Sequence, residues 1–320
     1  MRNLKEQKIL LFGNRMAGYS DRIAEELKRQ GALVDQLYYG YIPSFVMQII
    51  HNIVNNKFYQ RLLLFYHEKK LNSVYKGKKY DIILVINGKN MPLQLLEQVK
   101  KVSPNAEFIL YIWDDMANVR HPDNFLRFFN KVFTYNPFDA EEYHLIYRPF
   151  FYSEYVLKNK TSDLAFVGML QSNRLKLLDE IKKQNPGATF NNYIFSHFLS
   201  FVKRFSAFKT KIKEVHFKRA SYKKYIDILS TAKAVIEIPH VLQKNITTRA
   251  IEALGTRTKL ITTAATIKNF DFYNEDNVFI LSNDNISDIQ RWLTIPYKNY
   301  DDAILEKYSL SAWVRDIMAY

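Results

Sequence analysis

Two short apolar runs enclose a helical pattern in residues 234–263, which read AVIEIPHVLQKNITTRAIEALGTRTKLITT. Residues 234–238 and 259–262 are predicted to be buried strands, because both are short and rich in branched apolar side chains. Residues 247–254 carry the helical pattern that lies between them. A strand, a helix and a strand in this order predict a βαβ unit, and therefore a parallel sheet.

The same alternation extends along the whole chain. In the first half, strands are predicted at 8–12, 33–38, 81–86, 107–112 and 131–135, with helices at 20–30 (Ser20 as N-cap) and 92–102. In the second half, strands are predicted at 163–167 and 277–281 as well, with helices at 173–184, 222–232 and 303–318.

Because the pattern restarts between residues 149 and 161, we expect an α/β protein with two Rossmann-like, doubly wound parallel-sheet domains facing a cleft. The expected domains are 1–155 and 156–300. Residues 301–320 are expected to form a C-terminal helix that can pack back on the first domain.

Composition excludes several classes of protein. The chain has 320 residues, 48% of them hydrophobic, and no cysteine. A disulfide framework, a thiolate metal site and a cysteine nucleophile are therefore excluded. No run of 18 or more uncharged apolar residues and no signal-peptide pattern is found, so we expect a cytoplasmic protein.

The net charge of +14 is concentrated in two segments. Residues 44–80 hold seven basic residues and one acidic residue, and residues 203–224 hold nine and one, so the remainder is neutral. Residues 193–215 also show apolar side chains at helical spacing between the basic ones. Both segments suit an interfacial helix on an anionic membrane, at the inner face of the cell membrane. Ordinary core-facing helices with solvated lysines are the alternative.

Residues around the helix 247–254 suit an anionic ligand. Thr247 or Thr248 can cap this helix, whose free N–H groups favour phosphate. Arg249 lies in the first turn and can reach the same anion. Glu252, one turn later, can accept ribose hydroxyls; alternatively, it forms a surface helical pair with Arg249.

The chain resembles the GT-B fold glycosyltransferases, and among them the CgeB-like enzymes of bacterial surface-polysaccharide and spore-coat pathways. The resemblance rests on residues 251–263 (IEALGTRTKLITT), 163–170 (DLAFVGML), 225–240 and 111–153. It implies that Glu252 binds ribose and that Arg249, Thr247 and Thr248 face the diphosphate of a nucleotide sugar. It also implies that Gln243 and His240 lie near the donor sugar.

One position departs from the family pattern. Retaining enzymes of the large group-1 type carry a second glutamate eight residues before the ribose glutamate, where this chain has Lys244. The departure leaves the stereochemical outcome open. A lysine at this position can still stabilise a departing phosphate, so no metal and no cofactor is expected.

Acidic residues follow the strand 107–112. Asp114 or Asp115 can act as the carboxylate base that takes a proton from an acceptor hydroxyl. Alternatively, one caps the next turn while the other is solvated, or the two bind a metal as in GT-A enzymes. The isolated histidines show no metal-ligand spacing.

Glycines follow the first strand of each half. Gly13, Asn14 and Gly18 form a turn that faces the acceptor in the resembled enzymes, and Gly168 has the same place on the donor side. The spacing is not that of a dinucleotide fingerprint, and ligand-free backbone turns are the alternative.

The sequence therefore favours a glycosyltransferase that moves a sugar from a nucleotide-diphosphate donor to a hydroxyl of a surface polysaccharide or of a lipid-pyrophosphate-linked glycan. No nucleic-acid partner is expected. Two alternatives are a nucleic-acid-binding protein that uses the two basic segments and a non-catalytic relative that binds sugar nucleotides.

Overall fold

The computed structural model describes residues 2–14, 18–39, 56–75, 77–88, 91–118, 122–170, 172–196, 215–239 and 245–319. The chain divides into two compact units. The first comprises Met1–Pro149 together with Trp313–Tyr320, and the second comprises Phe150–Ala312. The division thus falls a few residues before the expected domain boundary at 155.

The described part of the first unit holds a six-stranded sheet in the order β2-β1-β3-β4-β5-β6, with every neighbouring pair parallel. Its strands are β1 (Lys8–Gly13), β2 (Leu33–Tyr38), β3 (Ile82–Ile86), β4 (Glu107–Ile112), β5 (Lys131–Thr134) and β6 (Ile146–Tyr147). Its helices are α1 (Tyr19–Arg29), α2 (Asn56–Tyr75), α3 (Leu93–Val102), α4 (Pro122–Leu126) and α5 (Pro137–Glu142).

The described part of the second unit holds a six-stranded sheet in the order β12-β11-β10-β7-β8-β9, again parallel throughout. Its strands are β7 (Ser162–Met169), β8 (Phe190–Phe195), β9 (Val215–His216), β10 (Ala232–Glu237), β11 (Lys259–Thr262) and β12 (Val278–Ile280). Its helices are α6 (Ser172–Gln184), α7 (Tyr222–Thr231), α8 (Thr248–Gly255), α9 (Ile289–Leu293) and α10 (Asp302–Lys307), and α11 (Leu310–Ala319) ends the described chain.

Central strands of both sheets are almost entirely buried. All five residues of β3 are buried, and so are the last four of β10. Such continuous apolar runs are typical of parallel strands with helices on both faces. The doubly wound class predicted from the sequence is therefore confirmed.

The strand orders locate the switch point of each sheet, where successive connections turn to opposite sides. In the first sheet it lies between β1 and β3, and in the second between β7 and β10. Ligands of open parallel sheets bind beyond the carboxyl ends of the strands at such points. The residues that follow these four strands are therefore the first to consider for a site.

Three local predictions were wrong in whole or in part. The N-cap of α1 is Gly18, with φ of 77°, whereas Ser20 lies inside the helix and its Oγ accepts a hydrogen bond from the N–H of Asn14. The segment 193–215, predicted to be helical, begins as the end of β8 and ends in β9, because both pair within the second sheet. Its middle lies outside the described residues.

The predicted helix 303–318 is two helices, α10 and α11. The backbone between them bonds to Tyr152, which donates to the carbonyl of Tyr308 and accepts from the N–H of Leu310. This strand-like bridge interrupts the helical hydrogen bonds. After the break, Trp313 is buried and packs edge-on against Tyr111 in the first unit, with ring centroids 4.7 Å apart.

Candidate functional site

The N-terminus of α8 lies just beyond β10 and is held by a buried carboxylate. Thr247 is the N-cap, and its Oγ accepts a hydrogen bond from the N–H of Arg249. Both the N–H and the hydroxyl of Thr247 donate to Glu237 Oε1 at 2.6 Å, and the hydroxyl of Thr262 donates to Oε2 at 2.6 Å. Glu237, which ends β10, is 0% exposed and fixes the start of α8 to two strands. Thr248 is the first residue of the helix.

Arg249 extends from the first turn of α8 to the carboxyl end of β7. Its guanidinium donates to the carbonyl of Val167 and lies over the ring of Phe166, 5.4 Å from the ring centroid. A Cβ at Gly168 would stand 3.3 Å from Arg249 Nη2 and 2.7 Å from the Phe166 ring. Gly168 is therefore the residue that allows Arg249 to lie close to the strand end.

A second arginine, Arg174, lies in the first turn of α6 and was missed by the sequence prediction. Its Nε donates to the carbonyl of Ile238 at 2.9 Å and its Nη1 to the carbonyl of Met169 at 3.2 Å. Arg174 therefore connects the ends of β7 and β10 across the switch point. Its position in the sequence could have identified it. Arg174 and Arg249 each lie in the first turn of the helix that follows a switch-point strand.

The two guanidinium groups lie close enough for their charges to interact. Burial and the positive charge of Arg249 lower the pKa of Arg174 to about 10, against the opposing effect of Glu237. Among the described residues, neither arginine has a carboxylate within salt-bridge distance, and Arg249 Nε is buried without a hydrogen-bond partner. Two adjacent cations bonded to neutral carbonyls favour an anionic ligand.

Glu252 lies one turn after Arg249 in α8 and is 0% exposed. Its carboxylate is 3.3 Å from the Tyr222 hydroxyl and 3.4 Å from both the N–H and the hydroxyl of Ser153. Burial and the charge of Glu252 raise the pKa of Tyr222. The alternative of a surface pair with Arg249 is therefore wrong, because Glu252 is buried among hydroxyl and amide donors.

Three residues expected near the donor sugar, His240, Gln243 and Lys244, lie outside the described residues. Their proposed roles stay predictions. The described chain resumes at Asn245, whose Oδ1 accepts a hydrogen bond from the N–H of Ile246 just before the cap of α8.

The carboxyl-end edge of the first sheet gathers acids and amides. Asn87, at the end of β3, has φ of 73° and donates from Nδ2 to Asp114 Oδ2 at 3.0 Å. Asn87 Oδ1 is buried without a hydrogen-bond partner. Asparagine tolerates this left-handed backbone better than most residues, and here it directs the amide at the carboxylate beyond β4.

Asp115 points to the next strand. Its Oδ1 accepts hydrogen bonds from the Tyr135 hydroxyl at 2.6 Å and from Asn136 Nδ2 at 2.9 Å. Nearby, burial raises the pKa of Asp139, whose carboxylate accepts from the N–H of Met116. Asp115 and Asp139 therefore hold the loop that carries Asp114, and the alternative of a cap beside a solvated aspartate does not describe this arrangement.

Gly13 lies at the end of β1 in the same unit. A Cβ at this position would stand 2.5 Å from the Cβ of Ser20, so a larger residue would displace α1. The N–H of Asn14 is bonded to the Ser20 hydroxyl at 3.1 Å. Ser20, in the first turn of α1, therefore lies against the end of β1.

Among the described residues, no group of three or more histidine, aspartate or glutamate side chains is placed to hold a metal ion. In the same part of the chain, no helix combines the length and apolar character needed to cross a membrane.

No protein-family model matches the chain, and no curated protein matches it significantly. The structure is similar to that of AviGT4, a glycosyltransferase involved in avilamycin A biosynthesis, with a TM-score of 0.57 and 12% identity over 98% of this chain and 96% of that one. It is also similar to Anabaena Alr3699/HepE in complex with UDP-glucose, with a TM-score of 0.59 and 11% identity over 98% and 99% of the two chains.

A third similar structure is a Listeria monocytogenes protein provisionally described as a UDP-N-acetylglucosamine 2-epimerase, with a TM-score of 0.59 and 9% identity over 98% and 95% of the chains. At these identities the likeness shows the fold. Each unit contributes one doubly wound parallel sheet, and the chain therefore has the GT-B type of architecture.

Proposed function

We propose that this protein is a glycosyltransferase that binds a nucleotide-diphosphate sugar at the second unit. It transfers the sugar to a hydroxyl of a polysaccharide or of a lipid-pyrophosphate-linked glycan. The observation that carries the proposal is the pair Arg174 and Arg249 at the switch point of the second sheet. Both arginines donate to backbone carbonyls there.

The arginine pair suits a diphosphate. Two planar guanidinium groups can each donate two parallel hydrogen bonds to phosphate oxygens, and the N-terminus of α8 adds its positive dipole end. These groups neutralise charge that develops on the leaving diphosphate as the sugar–phosphate bond breaks. The chemistry proposed here requires no metal.

Glu252 is proposed to bind the ribose. Its carboxylate accepts from Tyr222 and Ser153 at 3.3–3.4 Å, which is long for hydrogen bonds to a charged acceptor. Ribose hydroxyls would replace these donors at shorter distance. The donor diphosphate would then lie one helical turn away, at Arg249.

Asp114 is proposed as the general base. It takes the proton of the acceptor hydroxyl while that oxygen forms a bond to the anomeric carbon, and the bonding electrons of the sugar–phosphate bond leave with the diphosphate. Asn87 donates to Asp114 Oδ2 and so orients the carboxylate that takes the proton. Asp115 is bonded to Tyr135 and Asn136 and therefore suits a supporting role.

The similar structures support the choice of donor. Alr3699/HepE was solved with UDP-glucose, and another solved structure, 14% identical over 98% of this chain with a TM-score of 0.51, is a DNA-modifying β-glucosyltransferase studied with uridine diphosphoglucose. The CgeB-like resemblance adds a surface-polysaccharide acceptor to the proposal.

A thermal-shift and calorimetry panel of UDP, GDP, CDP and ADP tests the donor site. One diphosphate is expected to bind, and its monophosphate to bind at least about tenfold more weakly, because the second phosphate makes charge-assisted bonds to the arginines. Glu252→Gln should weaken binding. Failure of every diphosphate to bind would contradict the proposal.

Turnover is tested next with the matching nucleotide sugar, by following release of the diphosphate and the fate of the sugar. Asp114→Asn should abolish transfer while nucleotide affinity stays unchanged. A change in the sugar's own stereochemistry without an acceptor would show an epimerase instead. Salt-sensitive RNA binding without nucleotide binding would favour the nucleic-acid alternative.

A further inference from the structure

Helix α2 (Asn56–Tyr75) packs one face against the core of the first unit. Leu63, His67 and Leu71 are buried and lie four residues apart, which places them on one stripe of the helix. Leu64 and Val74 are partly buried beside the same core. This face therefore supplies the apolar contacts that hold the helix on the core.

The opposite face of α2 is also apolar. Phe58 and Phe65, seven residues apart, are 53% and 68% exposed, and Leu62 lies between them on the same stripe. Large exposed aromatics on one stripe are unusual on a monomeric protein surface, where apolar residues normally occur singly. The exposed side of the helix is therefore suited to binding another surface.

Basic side chains flank this stripe. Arg61 and Lys69 are exposed on the outward side of the helix, and α2 as a whole has four basic residues and one acidic residue. The one acid, Glu68, accepts a hydrogen bond from Gln98 Nε2 on α3 at 2.6 Å. The outward face is thus aromatic and cationic.

We propose that the face of α2 formed by Phe58, Arg61, Leu62, Phe65 and Lys69 docks the protein on an anionic lipid bilayer. Phenylalanine rings enter the headgroup–acyl boundary, and Arg and Lys attract anionic headgroups. A second copy of the chain suits the face less, because a two-fold contact would bring the same cations of both copies together.

The position of α2 between β2 and β3 relates the docking surface to the carboxyl-end edge of the first sheet. The helix leads into the amino end of β3, so its first turns lie toward the carboxyl ends of the strands, where Asp114 is found. Phe58 therefore lies at the end of the docking surface that is nearer to that edge. The docking surface itself is independent of the proposed transferase function, since it needs neither donor nor acceptor.

Sedimentation with vesicles tests the proposal on the full chain. We expect binding to mixed phosphatidylcholine–phosphatidylglycerol vesicles and little binding to pure phosphatidylcholine, with binding lost at high salt. Phe58→Ser/Phe65→Ser should reduce partitioning at least about tenfold. Arg61→Gln/Lys69→Gln should reduce it by about fivefold per charge removed.

Matched controls distinguish binding through this face from nonspecific binding through other exposed apolar or basic residues. Phe138 and Leu157 are 45% and 55% exposed on other surfaces, and Lys100 and Lys101 are exposed at the end of α3. Phe138→Ser/Leu157→Ser and Lys100→Gln/Lys101→Gln should keep full binding. Circular dichroism melting confirms that each variant is folded.

Three results would overturn the proposal. They are no binding to the anionic vesicles, equal loss in the control variants, or a dimer in light scattering that Phe58→Ser/Phe65→Ser dissociates without any vesicle binding. Nucleotide binding, measured separately at the second unit, reports on the proposed transferase function and is expected to be unchanged in all four variants.

Discussion

The carboxyl-end edge of the first sheet presents carboxylates and amides, whereas the same edge of the second sheet presents guanidinium groups and a helix N-terminus. In the first, Asp114 is bonded to Asn87 and Asp115 to Asn136. In the second, Arg174 and Arg249 occupy the switch point. Two sheets of the same class therefore offer opposite charge at their carboxyl-end edges.

The contrast shows that one type of sheet can present two different sets of functional groups. A carboxylate oriented by an amide can accept a proton, while a cation pair can hold a diphosphate. The second edge also contains an acid, but Glu237 is buried and accepts from Thr247 and Thr262, so it organises the edge and leaves the arginines to set its charge.

The largest expected effect follows from removing the cation pair. Arg174→Ala/Arg249→Ala should weaken nucleoside-diphosphate binding by about 100-fold or more, because each arginine contributes charge-assisted hydrogen bonds worth about 1.5–3 kcal/mol. Calorimetry measures the change. Arg291→Ala, at an exposed arginine of the same unit, is the control. Unchanged affinity in the double variant would remove the contrast between the two edges.

A second effect concerns the buried histidine of the first unit, His67. Burial lowers the pKa of His67 to about 4 from 6.5. As pH falls, His67 is protonated in the unfolded chain at a higher pH than in the folded protein. The free energy of unfolding should therefore decrease by up to about 3 kcal/mol as pH drops from 6.5 toward 4. His67→Leu should flatten this slope in urea titrations across that range. A slope identical to that of the unaltered protein would contradict the expectation.

A third effect isolates the buried acid of the second edge. Glu237→Gln should lower the free energy of unfolding by about 2 kcal/mol. The carboxylate accepts hydrogen bonds on both oxygens, and the amide N–H₂ that replaces one oxygen would face hydrogen-bond donors. Nucleotide affinity should fall with it, since Glu237 holds the N-cap of α8. Asp284→Asn, at an exposed acid of the same unit, should change neither quantity in chemical denaturation or calorimetry.

The smallest effect is expected at the first edge. Asp115→Asn keeps an oxygen that can accept from Tyr135 and Asn136, so the free energy of unfolding should fall by only about 1 kcal/mol. Nucleoside-diphosphate affinity should not change. A large loss of affinity in this variant would show that the two edges do not divide the chemistry as proposed.

Much of the fold was predictable because parallel strands buried on both faces leave a strong local pattern. The runs at β3, β4, β10 and β11 are short, apolar and bounded by helical patterns. The short edge strands β6 and β9 were missed, and β8 was partly taken for a helix. Its aromatic and asparagine residues, FNNYIF, show no clear period, and only pairing with β7 makes them a strand.

The candidate site was predictable in part. Thr247 and Arg249 lie within one local pattern, so capping rules place them together. Arg174 was missed because it is distant in sequence from Arg249 and meets it only where β7 and β10 become neighbours. Asn87 was missed for the same reason, since its contact with Asp114 depends on the pairing of β3 with β4.

The amino-acid sequence by itself determined the class of the fold, the start of α8 and the location of the basic segments, because strand burial, capping and charge are local properties. The tertiary structure alone decided which strands became neighbours at each switch point. It thereby paired Arg174 with Arg249, buried Glu237 and Glu252, and turned Phe58 and Phe65 outward. These outcomes depend on contacts between residues far apart in the chain, which local patterns do not encode.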